Sequence, residues 1–237
     1  MTEKMKKLFL LAFLAFGMTV NAGTIVANDD NDTETNTGGV KLDDDDNWKM
    51  HFYFGVDIPI SAPDGVSFAP FRSWEIGWTV LQYDYTPKNA KTTLSAGLGF
   101  DWRNYTLSGH DKMFVKHNDV VGIIDRDAKV SELASRIHTL SLSLPLLVKQ
   151  SFSKDFAVSL GAQLNWNVYS RINNFYELDD HEIDDRTKKI GERPITVDVL
   201  GMLHFGDFAV YCKYSPMSVL KKDKGPDFKS LAVGIYF

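Results

Sequence analysis

From residue 48 onward, apolar and polar positions alternate in short runs. In the last run, Leu231, Val233, Ile235 and Phe237 fall on one side, and Ser230, Ala232, Gly234 and Tyr236 on the other. A period of two marks a strand with two unlike faces. The same reading predicts eight strands, at 48–58, 73–85, 92–106, 136–150, 155–170, 194–204, 207–215 and 228–237. In 155–170 the apolar set is Phe156, Val158, Leu160, Ala162, Leu164 and Trp166, against Ser159, Gly161, Gln163, Asn165 and Asn167. In 92–106, Leu94, Ala96, Leu98, Phe100 and Trp102 oppose Thr93, Ser95, Gly97, Gly99, Asp101 and Arg103.

The polar face is built from Gly, Ser, Asn, Gln and isolated charges. A soluble sandwich turns its apolar face inward and carries Lys and Glu outside. A set this small and polar suits the crowded interior of a small barrel, and a Leu/Phe/Trp face suits lipid. Connections alternate in length. Long polar loops lie at 59–72, 107–135, 171–193 and 216–227, and tight turns at 86–91, 151–154 and 205–206. The pattern predicts an all-β fold, an eight-stranded antiparallel up-and-down transmembrane β-barrel, with every long loop outside. Eight strands enclose side chains and no water-filled channel. Trp48, Trp74, Trp102 and Trp166, with Tyr105, Tyr169, Tyr214 and Phe237, are candidates for interfacial girdles.

Residues 1–22 read as a cleaved signal peptide. Lys4, Lys6 and Lys7 precede an apolar run at 8–20, and Val20-Asn21-Ala22 ends it as a small-residue cleavage site. Residues 23–47, with Asp43-Asp-Asp-Asp46, lack the apolar content to order themselves and read as a disordered acidic linker. The barrel domain is 48–237. The formal net charge of −5 argues against nucleic acid, which selects clustered cations. Cys212 is the only cysteine, so no disulfide forms within the chain. The expected address is the bacterial outer membrane.

The chain also resembles a known family. Leu140-Ser-Leu-Ser-Leu-Pro-Leu-Leu-Val-Lys149, Ser159-Leu-Gly-Ala-Gln163, Lys213-Tyr-Ser-Pro216 and Gly225-Pro-Asp-Phe-Lys-Ser-Leu-Ala-Val-Gly-Ile-Tyr-Phe237 are similar to segments of the small outer-membrane β-barrel proteins of Bacteroidetes, a porin-like group that includes PorT-like members. The resemblance covers roughly 48–237. It implies an outer-membrane barrel and supplies no catalytic residues. PorT-like members are associated with protein secretion.

Alternation places His51, Tyr53, Asp57, Glu75, Asp101, Arg103, Asp198 and Lys213 on inward faces. Charges there must pair, because desolvating them alone is costly. They read as a structural polar network filling the barrel. No metal or cofactor motif is present: neither H-E-x-x-H nor C-x-x-C occurs. A lipid-modifying enzyme would need a serine, a histidine and a carboxylate together. His138 and Ser141, three apart, fall on opposite faces of a strand, which disfavours that pair. Glu177, Asp179, Asp180, Glu182, Asp184 and Asp185 make loop 171–193 acidic, which raises cation binding near lipopolysaccharide phosphates as an alternative to a solvated loop. The apolar Val120-Val-Gly-Ile-Ile124 suggests strands above the membrane or a partner surface. Expected partners are outer-membrane lipid and lipopolysaccharide, the barrel-assembly machinery through Phe237, and an envelope protein. The expected role is non-enzymatic, structural or interactive. The alternatives are an accessory of an envelope secretion complex and a lipid-modifying enzyme.

Overall fold

A computed structural model describes residues 48–237 apart from Asp64, His110, 126–129 and 179–180, with backbone alone at Trp48 and 130–132. The expected signal peptide (1–22) and acidic linker (23–47) lie outside the described residues, as do Asp179 and Asp180 of the acidic loop. Eleven strands form among the described residues: β1 Trp48–Ile60, β2 Trp74–Tyr85, β3 Thr92–Thr106, β4 Lys112–His117, β5 Val120–Asp125, β6 Val130–Ser151, β7 Phe156–Leu178, β8 His181–Lys188, β9 Ile195–Phe205, β10 Phe208–Ser215 and β11 Lys229–Tyr236. Among the described residues the one helical turn is a 3-10 segment, Pro70–Arg72.

Eight of these strands close a ring. The order β6-β3-β2-β1-β11-β10-β9-β7 is completed by pairing of β6 with β7, and every neighbour is antiparallel. The fold is therefore an eight-stranded antiparallel up-and-down barrel. Closure leaves no free edge around the barrel wall. Short turns fall at one end, where Gly206 takes a φ of 59° between β9 and β10. Long connections fall at the other.

The two longest loops expected from sequence are largely strand. β6 and β7 run for 22 and 23 residues, about twice what a tilted strand needs to cross a bilayer. Their excess rises beyond the ring as a sheet, and β8 pairs onto the upper half of β7, from Arg171↔Lys188 to Leu178↔His181. Segment 171–193 is thus a hairpin extension and not a polar loop. Within 107–135, β4 and β5 form a separate hairpin. Its two-residue turn sets Asn118 and Asp119 at φ 47° and 60°, the left-handed pair that a tight twisted hairpin requires.

Val168 marks the boundary between barrel and extension. On β6, Leu140 pairs with Tyr169 and Ser141 with Asn167, so Val168 is skipped as a bulge. One extra residue exchanges the faces of a strand. Below the bulge, Ser159, Gln163 and Asn165 are buried inward; above it, Ser170, Ile172 and Asn174 are.

The hairpin β4–β5 folds into the barrel mouth. Phe114 and Val121 join Tyr105, Leu107, Ile137, Ile172, Ile190, Leu220 and Phe228 in one buried apolar cluster. Phe114 is anchored by its backbone: its N–H donates to Ser135 Oγ at 2.9 Å and its carbonyl accepts from Asn174 Nδ2 at 2.9 Å. Tyr105, expected in an interfacial girdle, is 1 % exposed and belongs to this plug. Its strand parity with Asp101 and Arg103 turns it inward.

Phe114→Ala should open the mouth and leave the wall intact. Removing a fully buried ring costs about 3–5 kcal/mol, concentrated on a hairpin that adds nothing to ring closure. The measurement is limited proteolysis in detergent: cleavage within 107–125 should accelerate while the folded barrel persists on an unboiled gel.

Candidate functional site

The lumen is the site that the sequence singles out. Successive inward positions on β3 carry Asp101 and Arg103, and on β10 Tyr211, Lys213 and Ser215. Glu75 on β2 is the register partner of Arg103, and Asp198 on β9 that of Gln163 on β7. Strand pairing therefore converges these groups at one level of the barrel.

Asp101 is the hub. Its Oδ2 accepts from Lys213 Nζ at 2.7 Å, Tyr53 OH at 2.9 Å and Gln163 Nε2 at 2.9 Å. Arg103 Nε donates to its Oδ1 at 3.1 Å. Arg103 also pairs with Asp198 and donates to Ser215 Oγ at 2.9 Å. Lys213 Nζ lies 2.8 Å from Glu75 Oε2, and Tyr211 OH donates to Glu75 Oε1 at 2.6 Å. Asn165 Nδ2 donates to Asp198 Oδ2 at 2.6 Å. The Lys213 ammonium also sits 4.6 Å from the Tyr53 ring centroid, within cation–π range. Lys213 is 1 % exposed, and Glu75, Asp101 and Asp198 are 0 %.

Glycines make these bonds reachable. Tyr53, Gly77 and Asp101 lie in one cross-strand row. The Tyr53 ring lies over Gly77, where a Cβ would fall inside the ring, and so reaches Asp101 two strands away. Tyr211, Gly234, Gly55 and Glu75 form a second row. Tyr211 crosses both glycines to reach Glu75.

Six of the eight residues picked from sequence are bonded in this network: Tyr53, Glu75, Asp101, Arg103, Asp198 and Lys213. The other two are not. Asp57 is inward and 0 % exposed, but neither carboxylate oxygen has a hydrogen-bond partner. His51 lies nearer the turn end, stacked on Tyr236 at 4.9 Å, with Nε2 unpartnered. Sequence reading passed over Gln163, Asn165, Tyr211 and Ser215 as network members. Parity with Lys213 was the available signal for Tyr211 and Ser215.

Apolar layers seal the network on both sides. Tyr53, Leu147, Leu200, Met202, Ala209, Tyr211, Ala232 and Tyr236 cluster toward the turn end, and the Phe114 plug lies above. The cavity bordered by Tyr53, Thr79, Pro145, Gln163 and Lys213 measures about 10 Å³, room for one water at most.

His138 and Ser141 stay apart: His138 lies against Trp102 on the outer wall at 6.4 Å between rings, and Ser141 donates inward to Asn167 Oδ1 at 2.5 Å. A different pair, Ser159 Oγ and His204 Nε2, meets at 2.7 Å. No carboxylate hydrogen-bonds to His204 among the described residues, so the third member of a triad is missing. No cluster of three metal-ligating side chains forms among the described residues.

No protein-family profile matches the chain, and no curated protein matches it. Among solved structures it is similar to Ail, the attachment invasion locus protein of Yersinia pestis, at 9 % identity and a TM-score of 0.36 over 80 % of this chain and 97 % of that one. At this level of likeness, function has to be read from the chain's own geometry.

Removing one buried cation and removing the unbonded acid should act in opposite directions. Lys213→Met strips Asp101 and Glu75 of their shared partner and should cost about 3–5 kcal/mol. Asp57→Asn removes a buried charge with no partner and should stabilise by about 1 kcal/mol. Gly77→Ala should destabilise by about 1–3 kcal/mol through overpacking. Gly122→Ala should not, since its nearest neighbour would be 3.9 Å away. Urea midpoints for refolding in detergent order the four.

Proposed function

We propose that the chain is a non-enzymatic protein of the bacterial outer membrane, whose barrel anchors an ordered lobe for interaction outside. The observation that carries this reading is the inversion of the barrel. Leu160, Trp166, Val199 and Phe54 are 65, 59, 54 and 52 % exposed on the wall, while the charges are inside. Water does not tolerate a continuous apolar band of that size. Lipid does, and a closed ring leaves no backbone group unpaired within it.

The band has the right height. Trp74 and Trp102 meet edge to face at 5.7 Å near the loop end, and Trp102 lies one same-face row beyond the row that holds Trp166. Phe152, Phe156, Phe205 and Phe208 form a chain of ring contacts at the turn end, 5.6–5.9 Å apart. Phe156 and Trp166 open and close a stretch of ten steps on β7. That is roughly 33 Å along the strand, or roughly 25 Å in height at a tilt of about 40°, the span of an outer-membrane apolar band.

A sealed lumen supports an anchor and not a pore. The surface left for function is the lobe, where β8 bonds to β7 alone among the described residues and offers one open edge. Edges of this kind accept an extended partner segment. The motif resemblance to Bacteroidetes barrels supports one alternative role, an accessory of envelope protein secretion, for which co-isolation with a larger envelope complex is the discriminating outcome.

The full chain, expressed in a Gram-negative host and extracted in detergent, should fractionate with outer membranes and run faster unboiled than boiled. In planar bilayers it should give no stepwise conductance. Recovery in the aqueous fraction without detergent, with mobility unchanged on heating, overturns the reading.

A further inference from the structure

One feature of the outer wall lies outside the lumen network. Directly above Trp102 the register brings cations together from distant parts of the chain. The row above the Trp102↔Leu140 pair reads Asn104↔His138↔Arg171↔Lys188 across β3, β6, β7 and β8. The next reads Thr106↔Arg136↔Asn173↔Arg186. Arg72 joins them from the 3-10 turn, whose backbone carbonyl accepts from Asn104 Nδ2 and Thr106 Oγ1, both at 2.9 Å.

Parity puts these side chains on the outside. Ile137 and Ser135 are buried inward on β6, which leaves Arg136 and His138 outward. Above the Val168 bulge, Ile172 and Ser170 are inward, which leaves Arg171 outward, and its register partner Lys188 shares that face. Directly paired residues on one face lie about 5 Å apart and diagonal ones about 7–8 Å. His138 and Arg171 are a direct pair, and Arg136 is diagonal to Arg171.

The cluster is only partly compensated, since Asp184 acts on Arg136 and Arg171 from a distance without pairing with either. Arg72, Arg136 and Arg171 have no ion pair within 4.0 Å among the described residues, and the charges of Arg136 and Arg171 both act on His138. Arg136 Nε, Arg171 Nε and His138 Nδ1 are shielded from solvent and have no hydrogen-bond partner. Asp184 is the nearby acid, and its carboxylate is taken by Arg186 at 2.9 Å from Nε. Like charges gathered this closely repel one another, so an anion that bridges the guanidinium groups relieves the repulsion.

We infer that Arg72, Arg136, Arg171 and Lys188, with His138, form a binding site for the phosphate groups of an outer-leaflet lipid. The height selects the ligand. The site begins in the register row of Trp74, one same-face row above Trp102, and rises one row beyond it, on the wall and not on the loop tips, where a lipid's phosphates lie when its acyl chains cover Trp102 and Phe100. Trp102 supplies a flat surface beneath, and Trp74 one beside it.

The test uses the folded full-length chain in detergent and three probes: diphosphoryl lipid A, the same lipid dephosphorylated, and inorganic phosphate. Diphosphoryl lipid A should bind at least about ten-fold tighter than the dephosphorylated form. Arg136→Gln/Arg171→Gln should lose roughly thirty-fold in affinity for it. Lys154→Gln, at the opposite end of the barrel, should lose nothing. Equal binding of the two lipids, an unchanged double variant, or an equal loss in Lys154→Gln overturns the site. Displacement by millimolar inorganic phosphate reassigns it to a free anion and also overturns it. The inference rests on the outer-membrane reading, and the heat-dependent gel shift of each preparation separates them: a folded barrel that ignores lipid phosphate sinks the site alone.

Discussion

The fold depends on how two buried cations are shared. Arg103 and Lys213 are shared among three buried carboxylates, Glu75, Asp101 and Asp198, inside a ring closed above and below by apolar side chains. Deep burial makes each charge costly when alone and strongly coupled when paired. Every strand that contributes to this layer must therefore be in register at once. β1, β2, β3, β7, β9 and β10 all supply a bonded group. A slip of one residue on any of them would turn a charged or polar group of the network into the apolar wall. The network inside the ring therefore specifies the register from within.

The glycine rows belong to the same constraint. An eight-stranded lumen has room for few side chains at one level. Tyr53 and Tyr211 reach across neighbouring strands because Gly77 leaves space for the ring of the first and Gly55 for the hydroxyl end of the second. Each tyrosine then acts as a long strut with a hydroxyl at its tip. The small residues of the polar face are what let large ones lie flat against it.

The barrel was legible from alternation because the two environments differ so sharply. Leu142, Phe100 and Val199 point to one, and Ser141, Asp101 and Asp198 to the other. The extension was not legible, for two physical reasons. On β8, His181-Glu-Ile-Asp-Asp-Arg-Thr-Lys188 is mostly exposed on both faces, so no alternation is written into it. On β7 the bulge reverses the pattern in mid-strand, and a period-two reading stops there. Tyr105 was read as a girdle residue because its side chain suits an interface, although its parity with Arg103 already placed it inside. The outer cations escaped notice because Arg72, Arg136, Arg171 and Lys188 come from four separate stretches of chain, and only pairing makes them neighbours.

Val168 ties these observations together. Without its extra residue, the upper part of β7 would keep the parity of the lower part, so Ile172 would emerge on the outer wall and Arg171 would enter the mouth among Tyr105 and Ile137. One backbone irregularity therefore sorts grease from charge at the waterline of the molecule. A lineage that gained or lost a single residue there would have to rebuild the plug and the outer cations together, which makes that short stretch of β7 a hinge of heredity as much as of shape.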